Sequence, residues 1–216
     1  MILLVLVSTL FSCKNDKLTN SYIYFNEPQP ANVESVSCFP KKYIGVFSRD
    51  YSHQLKVESK GIIKIEVNSF DATKKQIDSL PELVFKNNIV YEKETQKAYK
   101  TVVKNDTIQW EVERIDTLFS FAKNETAKIY KSCLILNAEI DGKFQVSIIK
   151  FDFSSNKYLQ LGTRKDFAKI NTLLRIPFDA NIENNDTTYV VLKPKRSDFR
   201  KLLRLEGFEF ERIYYF

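Results

Sequence analysis

From Tyr43 onward, apolar and polar positions alternate with period two, the spacing of strands with one buried face. Leu55 and Val57 alternate with Lys56 and Glu58. After Ser59-Lys60-Gly61, Ile63, Ile65 and Val67 alternate with Lys64, Glu66 and Asn68, so the two runs predict a hairpin. Tyr99, Thr101 and Val103 precede a turn at Asn105-Asp106. Beyond it, Ile108, Trp110 and Val112 form one face and Gln109, Glu111 and Glu113 the other. Residues 118–121, 128–130 and 134–140 continue the pattern. Asp141-Gly142 then predicts a tight type I′ turn, which needs positive φ at both central residues. Phe144, Val146 and Ile148 lead the returning strand. Its phase slips near Ile149, where Phe151 and Phe153 take over the apolar face, and this predicts a bulge. Residues 158–161, residues 188–192 and the pair Phe208 and Phe210 are further strand positions.

Helical periodicity is rarer. A weak helix is expected over 71–80, stopped by Pro81. Another is expected over 163–174, with a capping-box-like Thr163 and Asp166 and apolar Phe167, Ile170 and Leu174. The best is 197–206, with Ser197 as N-cap, Phe199, Leu202 and Leu203 on one face, and Gly207 as the stop. Many short strands with few helices predict a mainly antiparallel β protein of α+β type. The leading architecture is a lipocalin-like or related β-barrel or meander with two or three short helices, since closure removes exposed edges. A β-sandwich is the alternative.

A length of 216 residues suits one ordinary domain that buries its own core. Only 5 Gly and 6 Pro, with 13% aromatics, exclude collagen-like and disordered chains. The five glycines never fall at the spacing of a phosphate-binding or dinucleotide-binding loop. The one histidine, His53, has no Gly-x-Ser-x-Gly elbow to serve. With Cys38 and Cys133 it makes no zinc site, because close ligand pairs are missing. Glu111 and Glu113 flank Trp110 as glycosidase acids sometimes do, but they read better as the solvated face of a strand. No catalytic residue, metal or cofactor is expected, and the chain reads as a non-enzyme.

The N-terminus carries an address. Residues 2–11 form an apolar run broken only by Ser8 and Thr9. At about 1.5 Å per residue it is half the length of a membrane span, and it has the size of a signal-peptide core. No Lys or Arg precedes it, as expected if the true start lies upstream. The end of the run, Leu10-Phe11-Ser12-Cys13, resembles the lipobox of bacterial lipoproteins, and the style of the whole chain is similar to Bacteroidota-type lipoproteins. The resemblance implies removal of residues 1–12 and acylation of Cys13, with palmitate among the acyl chains. It also implies an envelope location on the periplasmic face or the cell surface. Residues 13–30 then read as anchor and tether, ending in the extended Glu27-Pro28-Gln29-Pro30, and 31–216 as a single β-rich domain.

In an oxidising compartment Cys38 and Cys133 would close a loop of about 95 residues, worth roughly 4 kcal/mol. Equally, Cys133 opens an apolar run where a free buried thiol is at home. The net charge of +6 is concentrated near the end of the chain, where Lys193, Lys195, Arg196, Arg200, Lys201 and Arg204 face only Asp198. The cluster reads first as the solvated face of a lysine-rich protein and second as a contact for anionic lipid. Nucleic acid is no partner for an exported protein. Two functions remain: a structural or interaction module of the envelope, or a carrier holding a small or lipidic ligand inside a barrel.

Overall fold

The computed structural model describes residues 21–123, 125–151 and 156–204 and the backbone of Glu211–Tyr215. Strands β1 (Ile23–Phe25), β2 (Ser35–Val36), β3 (Gly45–Asp50), β4 (His53–Glu58) and β5 (Gly61–Thr73) come first. Helix α1 (Lys74–Asp78) leads to β6 (Leu83–Lys86), β7 (Ile89–Glu92), β8 (Ala98–Lys104) and β9 (Thr107–Ser120). Then follow β10 (Thr126–Tyr130), β11 (Cys133–Ile140), β12 (Lys143–Lys150) and β13 (Asn156–Leu161). Helix α2 (Arg164–Leu174), strands β14 (Phe178–Glu183) and β15 (Asp186–Leu192), helix α3 (Arg196–Leu202) and strand β16 (Glu211–Tyr215) complete the order. The protein is mainly antiparallel β with three short α-helices among the described residues.

Tight turns do much of the local work. Asp141-Gly142 has φ of 51° and 74°, the type I′ geometry that its sequence predicts. The same positive pairs occur at Asn87-Asn88, Lys131-Ser132 and Asn184-Asn185. Asn tolerates this region better than other side chains, because its short amide bonds to nearby backbone. Lys131 and Ser132 have no such excuse, and their turn carries local strain.

The chain divides into two compact units. The first comprises the described residues of Met1–Val33, Asn137–Ser147 and Gln160–Phe208. Its strands run in the order β14-β15-β1-β12. Strand β1 lies parallel to β15, with Ile23 beside Val190 and Phe25 beside Leu192. The core gathers Ile23, Phe25, Val146, Leu161, Ile170, Val190, Leu192, Phe199 and Leu202, all buried. Phe25 and Phe199 meet edge to face at 6.3 Å, which fixes α3 on β1. Helix α2 begins with a full capping box: Asp166 N–H donates to Thr163 Oγ1 at 3.1 Å, and Thr163 N–H donates to the Asp166 carboxylate at 3.0 Å.

The second unit comprises the described residues of Glu34–Leu136, Ile148–Leu159 and Glu209–Phe216. Its main strand order is β16-β3-β4-β5-β9-β8-β7-β6, with β2, β10 and β11 joined as a further ladder. Strands β5 and β9 pair antiparallel from Gly61 opposite Ser120 to Thr73 opposite Thr107. One core packs Phe39, Tyr43, Phe47, Leu55, Val57, Ile62, Phe119 and Leu134 at one end of this ribbon. A smaller one packs Ile77, Val90, Ile108 and Trp110 at the other.

Several expectations need correction. Strands β14 and β6 each pair on one side only among the described residues, so no barrel closes. Both edges are blunted by other means: each strand is short, carries charge (Lys86; Asp179 and Glu183) and follows close on a proline. The β1–β15 pair is parallel, whereas period two alone suggested only antiparallel pairing. The helix expected over 71–80 shrinks to Lys74–Asp78, because β5 continues to Thr73, which caps the helix through Gln76. Helix α3 starts at Arg196 with Lys195 as N-cap, since the Asp198 carboxylate accepts the Lys195 N–H at 3.0 Å. The expected tether enters the fold early: Ile23 and Phe25 are fully buried in β1. Ile148 and Ile149 are both buried, and this accounts for the slip in phase there without exposing either. The positions of Phe153, Gly207, Phe208 and Phe210 lie outside the described residues.

Two stability tests follow from this packing. Leu202 is 1% exposed whereas Arg200 is exposed. Chemical denaturation should therefore show a loss of about 2–5 kcal/mol for Leu202→Ala and less than about 0.5 kcal/mol for Arg200→Ala. Equal losses would mean that the helix face is misassigned. Conversely, Lys131→Asn with Ser132→Gly should raise stability by about 1 kcal/mol, by relieving the positive-φ strain of that turn.

Candidate functional site

The basic segment lies in the first unit and grows out of β15. Beyond Leu192 the chain passes through Lys193 and buried Pro194 into α3. Lys193 N–H donates to the Pro177 carbonyl at 2.8 Å, and its ammonium pairs with Asp179 at 2.5 Å. Phe199 and Leu202 point into the core, so Arg200, Lys201 and Arg204 are left outward. All six predicted cations are exposed. Lys195, Arg200, Lys201 and Arg204 make no ion pair among the described residues, and Asp198 is engaged as a cap. The expected cluster is therefore assembled on one short segment.

Apolar side chains are exposed in the same unit. Leu173 on α2 is 51% exposed, Phe178 at the start of β14 40% and Ile182 65%. Phe178 opposes Leu192 in the ladder and so sits immediately beside Lys193. Neither strand β14 nor its exposed apolar residues were anticipated from the sequence. The signal was present in Asn184-Asn185, an I′ turn without glycine.

A second polar arrangement in the first unit is structural. Lys143 Nζ lies 4.5 Å from the Tyr189 ring centre and 5.3 Å from that of Tyr24. Arg164 stacks over Tyr22 at 4.9 Å and binds Asp186 at 2.9 Å. This pairing raises the Arg164 pKa and lowers that of Asp186. Each cation is thus held in place by rings or a carboxylate. Deeper in, Asn137 pairs with the backbone of Gln29 in both directions, at 2.6 and 3.0 Å, and clamps the Pro28–Pro30 turn.

In the second unit, His53 lies 2.9 Å from Asp50 in an exposed turn, and Tyr51 donates to Glu111 at 3.2 Å. The nearby Glu111 carboxylate raises the Tyr51 pKa, and the hydrogen bond from Lys64 lowers that of Glu66. Glu111 and Glu113 are exposed on the strand surface, not gathered in a cleft. Tyr99 is pushed up to about 12 by burial and by its bond to Glu92. Among the described residues, no three His, Cys, Asp or Glu side chains are placed to hold a metal ion.

Of the two readings of Cys38 and Cys133, a bridge or free thiols, the structure has the second. Cys38 is exposed and Cys133 is buried, and both are free thiols. Cys133 heads a buried run of β11 and is itself only 2% exposed. Cys13 lies outside the described residues. No helix among the described residues is long and apolar enough to cross a membrane. No known protein family, curated protein or solved structure matches the chain.

The two thiols should differ sharply in chemistry. Burial pushes the Cys133 thiol up to about 11, so little thiolate exists at neutral pH. In a Cys13→Ser chain at pH 8, a thiol reagent should titrate one group quickly, Cys38, and the second only after unfolding. Two fast groups, or none, would contradict this assignment.

Proposed function

We propose that the protein is a membrane-anchored lipoprotein of the bacterial envelope, acylated at Cys13, and that it serves as a structural or interaction module acting through its outer surface. Catalysis has no part in this reading. The anchor rests on Leu10-Phe11-Ser12-Cys13 at the end of a short apolar run. Acyl chains would supply the membrane affinity, at about 0.8 kcal/mol per buried CH₂, and two or more anchor stably.

The observation that carries the choice of module over carrier is the filling of the second unit's main core. A lipocalin-like carrier would enclose a cavity of roughly 300 Å³ or more with a few converging polar groups. Aromatic rings occupy that core instead. Phe39 lies 5.5 Å from Phe119 and 5.0 Å from Phe121, and those two lie 4.9 Å apart. Tyr43 and Phe47 both pack on Phe151, at 4.8 and 5.4 Å. These are the spacings of rings in direct contact. Surface residues are then what remains for a partner to read.

Growing cells with a palmitate analogue tests the anchor. The wild-type protein should take up the label and fractionate with membranes, whereas Cys13→Ser should lose both. An unlabelled wild type, or unchanged membrane association of the variant, would contradict the proposal.

A further inference from the structure

We propose that the basic segment Lys193 to Arg204 docks the first unit onto anionic lipid headgroups, with the exposed apolar residues beside it reaching into the interface. The inference rests on the anchored reading above. Seven residues, Lys14 to Asn20, separate Cys13 from Ser21. Fully extended, the eight steps from Cys13 to Ser21 reach about 28 Å. Two residues later the chain enters β1, whose three residues span about 10 Å alongside β15. Asn26 N–H donates to the Leu192 carbonyl at 3.1 Å, so β1 ends where the basic segment begins. The tether that would hold the unit to a bilayer therefore holds this segment within about 45 Å of the headgroups.

Charge selects the occupant. Lys195, Arg200, Lys201 and Arg204 are exposed with no carboxylate partner among the described residues, while the apolar side of α3 is fully committed to the core. An array of cations on a packed helix suits a surface of repeated anions. Phe178 beside Lys193, and Leu173 on the neighbouring α2, supply apolar groups of the kind that enter the headgroup boundary. The anchor makes the encounter intramolecular, so weak electrostatic contacts suffice. Such contacts fade beyond about 10 Å and weaken as salt rises.

Lysine footprinting of the purified full chain on vesicles tests the inference. Vesicles of phosphatidylcholine alone are compared with vesicles holding about one third phosphatidylglycerol, and acylation by a water-soluble reagent is read by peptide mass spectrometry. On the anionic vesicles, labelling of Lys195 and Lys201 should fall at least about threefold relative to neutral ones. The difference should vanish in molar salt. It should also vanish for Arg200→Glu with Arg204→Glu, whose thermal unfolding should be unchanged because both side chains are exposed. Equal labelling on the two vesicle types overturns the inference, and so does an equal fall at every lysine, which reports only general adsorption of a cationic protein. The palmitate label, read separately, reports the anchor. A labelled protein without protection refutes the docking and leaves the lipoprotein reading standing. Protection without the label supports the docking and refutes the anchor.

Discussion

The register between β5 and β9 is the constraint on which the second unit depends. Side chains alternate across a strand, so a one-residue slip would turn every buried position outward. On β5 the even positions Ile62, Phe70 and Ala72 share one face. Opposite them stand Phe119, Trp110 and Ile108. On β9 these partners fall at odd and even numbers, which an uninterrupted strand cannot place on one side. The register shift between Ile62 and Ile63, where Ile63 meets Thr117 and Leu118 is passed over, absorbs the extra residue. One irregularity thus lets a single ribbon feed two cores: Ile62 with Phe119 at one end, and Phe70 stacked on Trp110 at 5.7 Å at the other.

Much of this was legible as local pattern. The hairpins at Ser59-Lys60 and Asn105-Asp106 stand where alternation and turn residues place them, and the Thr163 cap and Asp141-Gly142 turn are formed as their chemistry requires. What escaped is tertiary. Alternation marked Ile63, Ile65 and Val67 as the buried face, yet those are only half-buried and Ile62 is the fully buried one, because β5 is covered in part on both sides. The bulge at Leu118 left no mark in the alternation, since pairing with a partner decides it and one strand's pattern does not. The parallel neighbour of β1 is set by a strand far along the chain. Asn87-Asn88 and Asn184-Asn185 form positive-φ turns without glycine, which the alternation of apolar and polar positions does not mark.

The candidate surface was legible in part as well. Six cations near the end of the chain stood out in the sequence, and periodicity pointed Phe199 and Leu202 inward. Local pattern carries no hint that β1 pairs with β15 and so brings Asn26 beside those cations. Under the proposed docking, that neighbourhood is what would set this helix face apart from an ordinary solvated one. Rings in contact fill the second unit's main core, which is why the proposed function is sought on the outer surface.

In the proposed reading, one covalent event at one residue, the acylation of Cys13, brings the protein to a membrane. The intact mass of the protein extracted from cell membranes tests that event most directly. The account predicts a chain beginning at Cys13, without residues 1–12, and heavier than its sequence by the mass of the attached lipid. A chain that retains residues before Cys13, or that begins there with an unmodified cysteine, would contradict it.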